Sequence, residues 1–315
     1  MLIIGFILLV WGADLLVKGS SNIAKKFHIP EMLIGLTIVA LGTSMPELII
    51  TLSSAKQNAT DLIIGNAIGS NLCNLLLIMG LVAILRPIKL DKDTKFIHLP
   101  VALISTLAVL GLGVGILGSP QNLINKTDGI ILVMAYFLYF LYPIIVEIKD
   151  IKNTIKENHK KHVKTTNIFI SIFLVLIGAI LLKIGGDLVV NEATEIAIKY
   201  NISERVIGLT IIAVGTALPE LITSIIAVIK KDDDLATGNL IGSCILNSFL
   251  ILGTGAIITP LAFSGAFINN LVLLSFSIIL IWLFGFIGKK DTITRGQALI
   301  LLILYLGYMI NLFKV

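Results

Sequence analysis

The sequence predicts an all-α polytopic membrane protein with ten transmembrane helices, built from two five-helix repeats. Three observations support this fold class: the composition, the number of apolar segments and an internal duplication. Of the 315 residues, 57% are hydrophobic and only 14% are charged. A soluble chain of this length cannot bury so much apolar surface, whereas a chain in a lipid bilayer can expose it to the lipid.

Ten segments are long and apolar enough to cross a bilayer, since a spanning helix needs about 20 mostly apolar residues. The first segment has no basic residue before its apolar run, and Asp14 interrupts that run, so we interpret it as a spanning helix rather than a signal peptide. The predicted segments cover residues 1–18, 31–55, 62–85, 97–118, 128–148, 167–190, 205–229, 235–258, 262–287 and 296–313.

An internal duplication organises these segments. Residues 12–87 align with residues 185–260 at a constant offset of 173, without a gap, and 35 of the 76 pairs are identical. Because each copy contains an odd number of crossings, the second copy must enter the membrane from the opposite side. Such inverted repeats place substrate sites near the bilayer midplane. We therefore predict a first membrane repeat at 1–148, a short linker at 149–166 and a second membrane repeat at 167–315.

The chain has a net charge of +5, and its basic residues are distributed unequally between the two predicted sides of the membrane. Loops on one side of the membrane carry 18 Lys and Arg residues, and loops on the other side carry five. The positive-inside rule then predicts a multi-pass plasma-membrane protein with both termini outside the cell and the 149–166 loop in the cytoplasm. The basic residues thus indicate contact with a lipid bilayer rather than with nucleic acid, and no obligate protein partner is evident.

The first duplicated motif lies in the middle of the second and seventh segments. Gly-Thr-Ser-Met-Pro-Glu at 42–47 recurs as Gly-Thr-Ala-Leu-Pro-Glu at 215–220. Pro46 cannot donate a hydrogen bond to the carbonyl of Gly42, so we expect the helix to break there. Carbonyls freed at membrane depth are tolerated only inside protein or beside a water-filled cavity. The motif side chains that carry oxygen are Thr43, Ser44 and Glu47 in the first copy, and Thr216 and Glu220 in the second.

Two acidic residues within the predicted membrane segments, Glu47 and Glu220, indicate a functional site. A helix kink whose hydroxyls bond back to the backbone would explain Thr43 or Thr216. It would not explain Glu47 and Glu220, because an intramembrane charge costs at least about 2.5–3.5 kcal/mol. Carbonyl, hydroxyl and carboxylate oxygens are the ligands that hard cations prefer. We therefore expect a cation site near the midplane.

The second duplicated motif opens the third and eighth segments. Gly-Asn-Ala-Ile-Gly-Ser at 65–70 recurs as Gly-Asn-Leu-Ile-Gly-Ser at 238–243. In each copy a further asparagine lies four residues after the serine, at Asn74 and Asn247. Residues spaced by four share one helix face, and the glycines allow close helix packing. Asn66 and Asn239 are expected to be structural. The predicted ligands, direct or through water, are Ser70, Asn74, Ser243 and Asn247.

The remaining polar residues do not form a catalytic or soft-metal site. Asp14 and Asp187 are expected to pair with Lys18 and Lys183 at helix ends. Cys73 and Cys244 are expected to be packing residues. No Ser/His, Asp/Asp or zinc constellation supports an intramembrane enzyme, and no cofactor is predicted. The four histidines are expected to be solvated, at positions His28, His98, His159 and His162.

At these motifs the sequence resembles the sodium/calcium exchanger family of the cation/calcium antiporter superfamily, and its short loop resembles the prokaryotic members. The alpha-repeats of that family carry Gly-Thr-Ser-Leu-Pro-Glu and Gly-Asn-x-x-Gly-Ser-Asn. The resemblance covers nearly the whole chain and implies a secondary antiporter that exchanges Ca²⁺ for Na⁺ by alternating access. It further implies that Glu47 and Glu220 bind calcium. The other implied ligands are the backbone carbonyls of Ala40, Thr43, Ala213 and Thr216, the hydroxyls of Ser44, Ser70 and Ser243, and the amides of Asn74 and Asn247.

The sequence departs from the family pattern at two positions. Ala217 stands where a serine often supplies a sodium ligand, and Asn247 stands where several members carry aspartate. We expect a sodium gradient to drive calcium out of the cell. The alternatives are an H⁺/Ca²⁺ antiporter, a potassium-dependent Na⁺/Ca²⁺ exchanger, an exchanger of another divalent ion and, from a different class, a cation channel.

Overall fold

A computed structural model describes residues 2–27, 29–116, 122–157, 167–199, 213–287 and 291–314. These residues are mostly helical. The helices of the first half are α1 Leu2–Phe27, α2 Glu31–Thr43, α3 Met45–Lys56, α4 Thr60–Leu85, α5 Thr94–Gly113 and α6 Lys126–Glu157. Those of the second half are α7 Ile168–Lys199, α8 Ala213–Thr216, α9 Leu218–Ile229, α10 Asp233–Ile258, α11 Gly265–Ile287 and α12 Arg295–Lys314. The strands are β1 Ile88–Lys89, β2 Leu123–Ile124, β3 Leu261–Ala262 and β4 Thr292–Ile293.

The described helices confirm a polytopic membrane protein. Seven of them are long and apolar enough to cross a bilayer, and the pair α2 and α3, bent by 48°, adds an eighth candidate. Helix α6 contains the predicted segment 128–148, and α8 and α9 contain the described part of the predicted segment 205–229. The remainder of that segment, residues 158–166 of the predicted linker, and His28, His159 and His162 lie outside the described residues.

Three helices extend further than the sequence analysis predicted. The first segment was expected to end at residue 18, but α1 continues to Phe27. Likewise α7 continues to Lys199 rather than ending at residue 190, and α6 continues to Glu157 rather than ending at residue 148, so the start of the predicted linker is helical. In α1 the additional turns carry Ser20 and Ala24, which are buried against the protein. These turns are therefore stabilised by packing against neighbouring helices, which a search for apolar spans does not detect.

Helices α1 and α7 pack against each other in antiparallel orientation through glycines. Gly5 faces Gly185, and Gly12 faces Gly178. A Cβ atom at Gly12 would lie 2.9 Å from the carbonyl oxygen of Gly178, and one at Gly178 would lie 2.6 Å from the nitrogen of Leu16. Small residues are what permits such a close approach of two backbones. The contact therefore holds α1 and α7 together as one unit.

Four short strands correct the expectation that the chain is entirely α-helical. Strand β1 pairs antiparallel with β4, and β2 pairs antiparallel with β3. Each pair joins a loop of the first half to a loop of the second half. Each strand has only two residues, which is too short for the alternating pattern by which strands are recognised in a sequence.

The motif-bearing helices lie at the centre of the molecule. Within their apolar windows, α4 is 72% buried and α10 is 78% buried, whereas α7 is 28% buried and α12 is 17% buried. Large apolar side chains such as Phe169 and Ile303 are exposed on the outer helices, as expected for a surface that faces lipid. The polar motifs are therefore enclosed by protein, and the apolar outer helices separate them from the bilayer.

Candidate functional site

The two helix breaks confirm the prediction made from the first motif. The backbone leaves helical geometry at Ser44 (φ −86°, ψ 12°) and at Ala217 (φ −87°, ψ 2°), which are equivalent positions in the two copies. A new helix begins directly after each break, with Glu47 in the first turn of α3 and Glu220 in the first turn of α9. A carboxylate in the first turn is favoured by the helix dipole.

The two copies converge at these glutamates. Glu47 is 1% exposed and Glu220 is fully buried, and each carboxylate lies within the electrostatic field of the other. The Ser44 hydroxyl, at the break of the first copy, donates a 2.8 Å hydrogen bond to Glu220 Oε1 in the second copy. The two predicted carboxylates therefore belong to one site that both copies build.

Serine hydroxyls surround the carboxylates unequally. The hydroxyls of Ser44 and Ser243 are 2.9 Å apart, and Ser243 Oγ lies 3.4 Å from Glu220 Oε1. Among the described side chains, Glu47 Oε1 accepts one hydrogen bond, of 3.3 Å, from the Ser70 hydroxyl. The three predicted serines thus all contact the glutamates, and two of them contact Glu220.

Asn239 connects the first break to helix α9. Its Oδ1 accepts a 3.0 Å hydrogen bond from the Thr43 hydroxyl. Its Nδ2 lies 3.1 Å from Ser224 Oγ and 3.5 Å from the backbone oxygen of Glu220. These contacts agree with the structural role expected for Asn239, and they leave the Thr43 hydroxyl occupied as a donor.

Several buried oxygens of the site have no hydrogen-bond partner among the described residues. They are the second oxygens of both glutamates and the amide oxygens of both motif asparagines, namely Glu47 Oε2, Glu220 Oε2, Asn74 Oδ1 and Asn247 Oδ1. Buried acceptors without a partner are costly, and in native structures they mark a missing water, ion or ligand. Since all four atoms are hard oxygen acceptors, they fit a hard cation.

The two asparagines lie at distortions of their helices. Asn74 and Asn247 stand on π-helical turns at equivalent positions, Cys73–Ile78 in α4 and Asn247–Ile251 in α10. Single π-helical turns inside α-helices occur frequently at functional sites. Both side chains are buried, at 1% and 0% exposure.

Asn71 belongs to this region but was not singled out in the sequence. Its Oδ1 accepts a 3.0 Å hydrogen bond from Asn247 Nδ2. The repeat alignment matches Asn71 with Cys244 rather than with another asparagine, so a search for duplicated polar residues passes over it. The signal that could have identified it is the family motif Gly-Asn-x-x-Gly-Ser-Asn, whose last position it fills.

The remaining predicted ligands occupy different settings. The carbonyl of Ala40, which is buried, accepts a hydrogen bond from the Ser44 amide (2.9 Å) and lies 3.3 Å from the Thr43 hydroxyl. Thr216 is half-buried and lines a cavity. Ala213 is the first described residue of α8.

A cavity of about 240 Å³ lies beside both breaks, between α7 and the helices that carry the glutamates. Pro46 and Pro219 line its inner wall, and Lys183 and Asp187 of α7 line the other. The cavity therefore approaches the region of the carboxylates along a mostly apolar lining that carries a few polar side chains. Its lining residues are Pro46, Ile49, Ile50, Lys183, Gly186, Asp187, Val190, Asn191, Gly215, Thr216 and Pro219.

The expected ion pairs of the other two acids are present. Lys18 Nζ lies 2.6 Å from Asp14, and Lys183 Nζ lies 2.6 Å from Asp187. The sequence analysis missed a second partner of Asp14: Lys230, from the loop between α9 and α10, lies 2.7 Å away. Asp14 thus links α1 to the opposite copy.

The expectation that His98 is solvated was wrong. Its ring is 2% exposed and lies 2.9 Å from the Tyr139 hydroxyl, because the start of α5 packs against α6. Cys73 and Cys244 are buried and free, as expected for packing residues. Within the described part of the chain, no group of three or more His, Cys, Asp or Glu side chains could hold a metal. The two-carboxylate site is therefore distinguished by its amide and hydroxyl oxygens rather than by soft ligands.

Comparisons with known proteins agree with this geometry. The family model described as sodium/calcium exchanger protein matches residues 1–145 and 170–314. The chain is 30% identical to the sodium/calcium exchanger MaX1 of Methanosarcina acetivorans, over 100% of this chain and 98% of the relative. It is 36% identical to the inner membrane protein YrbG of Escherichia coli K12, over 82% and 79%. A solved structure of the sodium-calcium exchanger NCX_Mj, soaked without Na⁺ and Ca²⁺, superposes with a TM-score of 0.81 at 32% identity, covering 98% of this chain and 97% of that one.

Proposed function

The chain belongs to the sodium/calcium exchanger family, and on this basis we propose that it exchanges Ca²⁺ for Na⁺ at a site built around Glu47 and Glu220. The observation that carries the site assignment is the set of four unpartnered buried oxygens, one glutamate oxygen and one asparagine oxygen from each copy. They offer a cation a nearly symmetric oxygen environment. Ca²⁺ and Na⁺ are the substrates of this exchange, and the site needs no cofactor.

The charge of the site accounts for exchange. Within the described part of the chain, neither glutamate forms an ion pair, so two ionised carboxylates would present a charge of −2. One Ca²⁺ neutralises this charge, and several Na⁺ ions can do so at the same oxygens. A charged empty site is costly within the membrane, so reorientation of the empty site is disfavoured. Mutually exclusive occupancy combined with this cost is sufficient for antiport.

The strand pairing supports two inverted repeats of five helices each, at residues 1–148 and 167–315. Strand β1 corresponds to β3 at the repeat offset of 173, and each of them pairs with a strand of the opposite half. The glycine contacts behave in the same way. At the offset of 173, Gly5 corresponds to Gly178 and Gly12 corresponds to Gly185, so the contact Gly5–Gly185 has the contact Gly178–Gly12 as its equivalent. A pseudo-two-fold axis that relates the two copies produces such pairs of equivalent contacts. An odd number of crossings makes the axis lie in the membrane plane.

Alternating access would move the α1–α7 pair against the central helices. On one side Asp14 of α1 is tied to Lys230 of the opposite copy. The cavity between α7 and the helix breaks lies on the opposite face of the repeat arrangement, next to Asp187. The positive-inside rule assigns the Lys230 loop to the cytoplasm, together with the linker 149–166, and assigns both termini to the outside of the cell. The conformation described then has its cytoplasmic side closed, and we propose that an inward sodium gradient drives calcium outward.

The test is Ca²⁺ flux in proteoliposomes of the purified protein, with Na⁺, K⁺ and H⁺ gradients imposed one at a time. We expect Ca²⁺ uptake only into Na⁺-loaded vesicles. Uptake driven by a pH gradient alone would identify an H⁺/Ca²⁺ antiporter, and uptake without any counter-ion gradient would identify a channel. Either result would overturn the proposal.

A further inference from the structure

Asn71 makes three side-chain hydrogen bonds next to the proposed ion site. It lies in α4, is 2% exposed, and its Nδ2 donates to the backbone oxygen of Cys244 (3.2 Å) and to Ser248 Oγ (3.0 Å). Its Oδ1 accepts from Asn247 Nδ2 at 3.0 Å. All of its strong hydrogen-bonding capacity is therefore directed at α10, the helix that carries Asn247.

These bonds fix the orientation of two amides. A backbone carbonyl can only accept a hydrogen bond, so Asn71 must turn its NH₂ group towards Cys244 and its oxygen towards Asn247. Asn247 must then donate this hydrogen bond from its own NH₂ group. The Oδ1 atom of Asn247 is consequently the end of the amide that remains, and it is buried without a partner in the described structure.

The equivalent asparagine of the first copy has a thiol, and not another amide, at the matching position. Cys244 occupies the position in the second copy that Asn71 occupies in the first, and its thiol lies 3.8 Å from the backbone oxygen of Asn71. A thiol is a poor substitute for an amide oxygen as an acceptor. Neither amide atom of Asn74 has a hydrogen-bond partner among the described residues. The two asparagines are therefore equivalent in sequence but different in restraint.

We propose that Asn71 is a positioning residue of the ion site, which holds the Asn247 amide with its oxygen towards the cation. The inference rests on the proposed function, because it takes Asn247 as a ligand. When Asn71 holds the NH₂ group of Asn247, that group cannot donate to the unpartnered oxygens of Glu47 and Glu220. Without Asn71 the amide can rotate in the empty site, donate to a carboxylate and so compete with the incoming ion.

The first experiment replaces Asn71 by leucine, which has a similar shape and no acceptor. We expect the KM for Ca²⁺ in Na⁺-loaded proteoliposomes to rise about tenfold, as for the loss of one buried hydrogen bond. The rate at saturating Ca²⁺ should change by less than about twofold, because a saturating ion restores the oxygen-facing orientation. An unchanged KM would overturn the proposal.

The same substitution in an Asn247→Asp protein distinguishes a positioning role of Asn71 from a packing role. A carboxylate presents an oxygen whichever way it is turned, so Asn247→Asp should remove the need for Asn71. We therefore expect Asn71→Leu to raise the KM in the native background and to cause no further rise in the Asn247→Asp background. An equal loss in both backgrounds would mean that Asn71 only packs, and would overturn the proposal.

Controls keep the result interpretable. Ser248→Ala removes one acceptor of the Asn71 NH₂ group but leaves the Cys244 carbonyl, so the KM should rise less than with Asn71→Leu. If Asn71→Leu fails to fold, as judged by thermal unfolding in detergent, Asn71→Ala removes the same amide without adding bulk and replaces it in both backgrounds. A native protein without Na⁺-driven Ca²⁺ uptake would refute the proposed function itself. Normal uptake with an unchanged KM in the variant would refute only the role of Asn71.

Discussion

The two copies supply the same glutamate at the same position, but they surround it differently. Glu220 Oε1 lies within hydrogen-bond distance of two hydroxyls, Ser44 at 2.8 Å and Ser243 at 3.4 Å. Within the part of the chain that the structure describes, Glu47 Oε1 has one hydroxyl partner, Ser70 at 3.3 Å. The difference originates at one position, because the residue equivalent to Ser44 is Ala217.

This difference indicates that the two copies restrain their glutamates to different degrees. A carboxylate held by two hydroxyls is more restrained than one held by a single long hydrogen bond. We therefore interpret Glu220 as the more rigid half of the proposed ion site and Glu47 as the half that adjusts to the ion. Both halves still supply one free oxygen each, so the asymmetry concerns orientation rather than charge.

The largest effect is expected from removing either charge. Glu47→Gln and Glu220→Gln each reduce the proposed charge of the site from −2 to −1. We expect Na⁺-driven Ca²⁺ uptake to fall at least about 100-fold in both variants, because a charge contact at 4 Å contributes about 4 kcal/mol at an effective dielectric constant of 20. The measurement is initial uptake into Na⁺-loaded proteoliposomes. Asp61→Asn, at the exposed start of α4, removes one carboxylate away from the site and serves as the control. Normal flux in either site variant would exclude a shared two-carboxylate site.

The sequence predicted the broad architecture and the location of the site because both depend on local patterns. The break at Ser44 follows from the glycine and proline beside it, and the burial of Glu47 and Glu220 follows from their apolar segments. The duplication made both predictions firmer, since the same residues recur at equivalent positions. Matched pairs were also the limit of this reasoning. Contacts between unmatched residues, such as Asn71 with Asn247, are set by how the two copies pack, which no local pattern records.

The next largest effect tests the restraint on Glu220. Ser44→Ala removes the 2.8 Å hydrogen bond and one hydroxyl oxygen. We expect the Na⁺ concentration for half-maximal exchange to rise about tenfold, since hydrogen bonds to charged groups contribute about 1.5–3 kcal/mol. The comparison variant is Ser70→Ala, which removes the longer bond to Glu47 and should have a smaller effect. A larger loss in Ser70→Ala would reverse the assignment of the more restrained glutamate.

A smaller effect is expected from making the copies alike. Ala217→Ser would give Glu47 the hydroxyl that Glu220 already receives from Ser44. We expect the Na⁺ concentration for half-maximal exchange to fall about fivefold, as for the gain of one hydrogen bond of about 1 kcal/mol. Ala217→Cys is the matched control, because it adds a similar volume with only a weak donor. If both variants behave alike, added volume rather than the hydroxyl is responsible.

The ion pairs of Asp14 and Asp187, within α1 and α7, extend the comparison beyond the proposed ion site. Asp14 contacts Lys230 of the opposite copy at 2.7 Å, but the equivalent Asp187 pairs with Lys183 of its own helix. The residue equivalent to Lys230 is Gln57, which instead donates to Ser53. Among the described residues, an ion pair therefore ties α1 to the opposite copy through this position, and no equivalent pair ties α7. This asymmetry would favour a conformation closed on the Lys230 side.

Lys230→Gln gives the second copy the residue of the first and should produce the smallest effect. We expect a cysteine placed at Asn22, in the polar pocket beside Lys230, to react with maleimide about two- to threefold faster in this variant, because exposed ion pairs contribute about 0.2–1 kcal/mol. Native Cys73 and Cys244 are buried, so their background labelling should be low. High salt should raise the rate in the parent protein and reduce the difference, since it screens the ion pair. An identical labelling rate with and without Lys230 would show that the closed side is held by packing alone, with no contribution from the charge asymmetry of the copies.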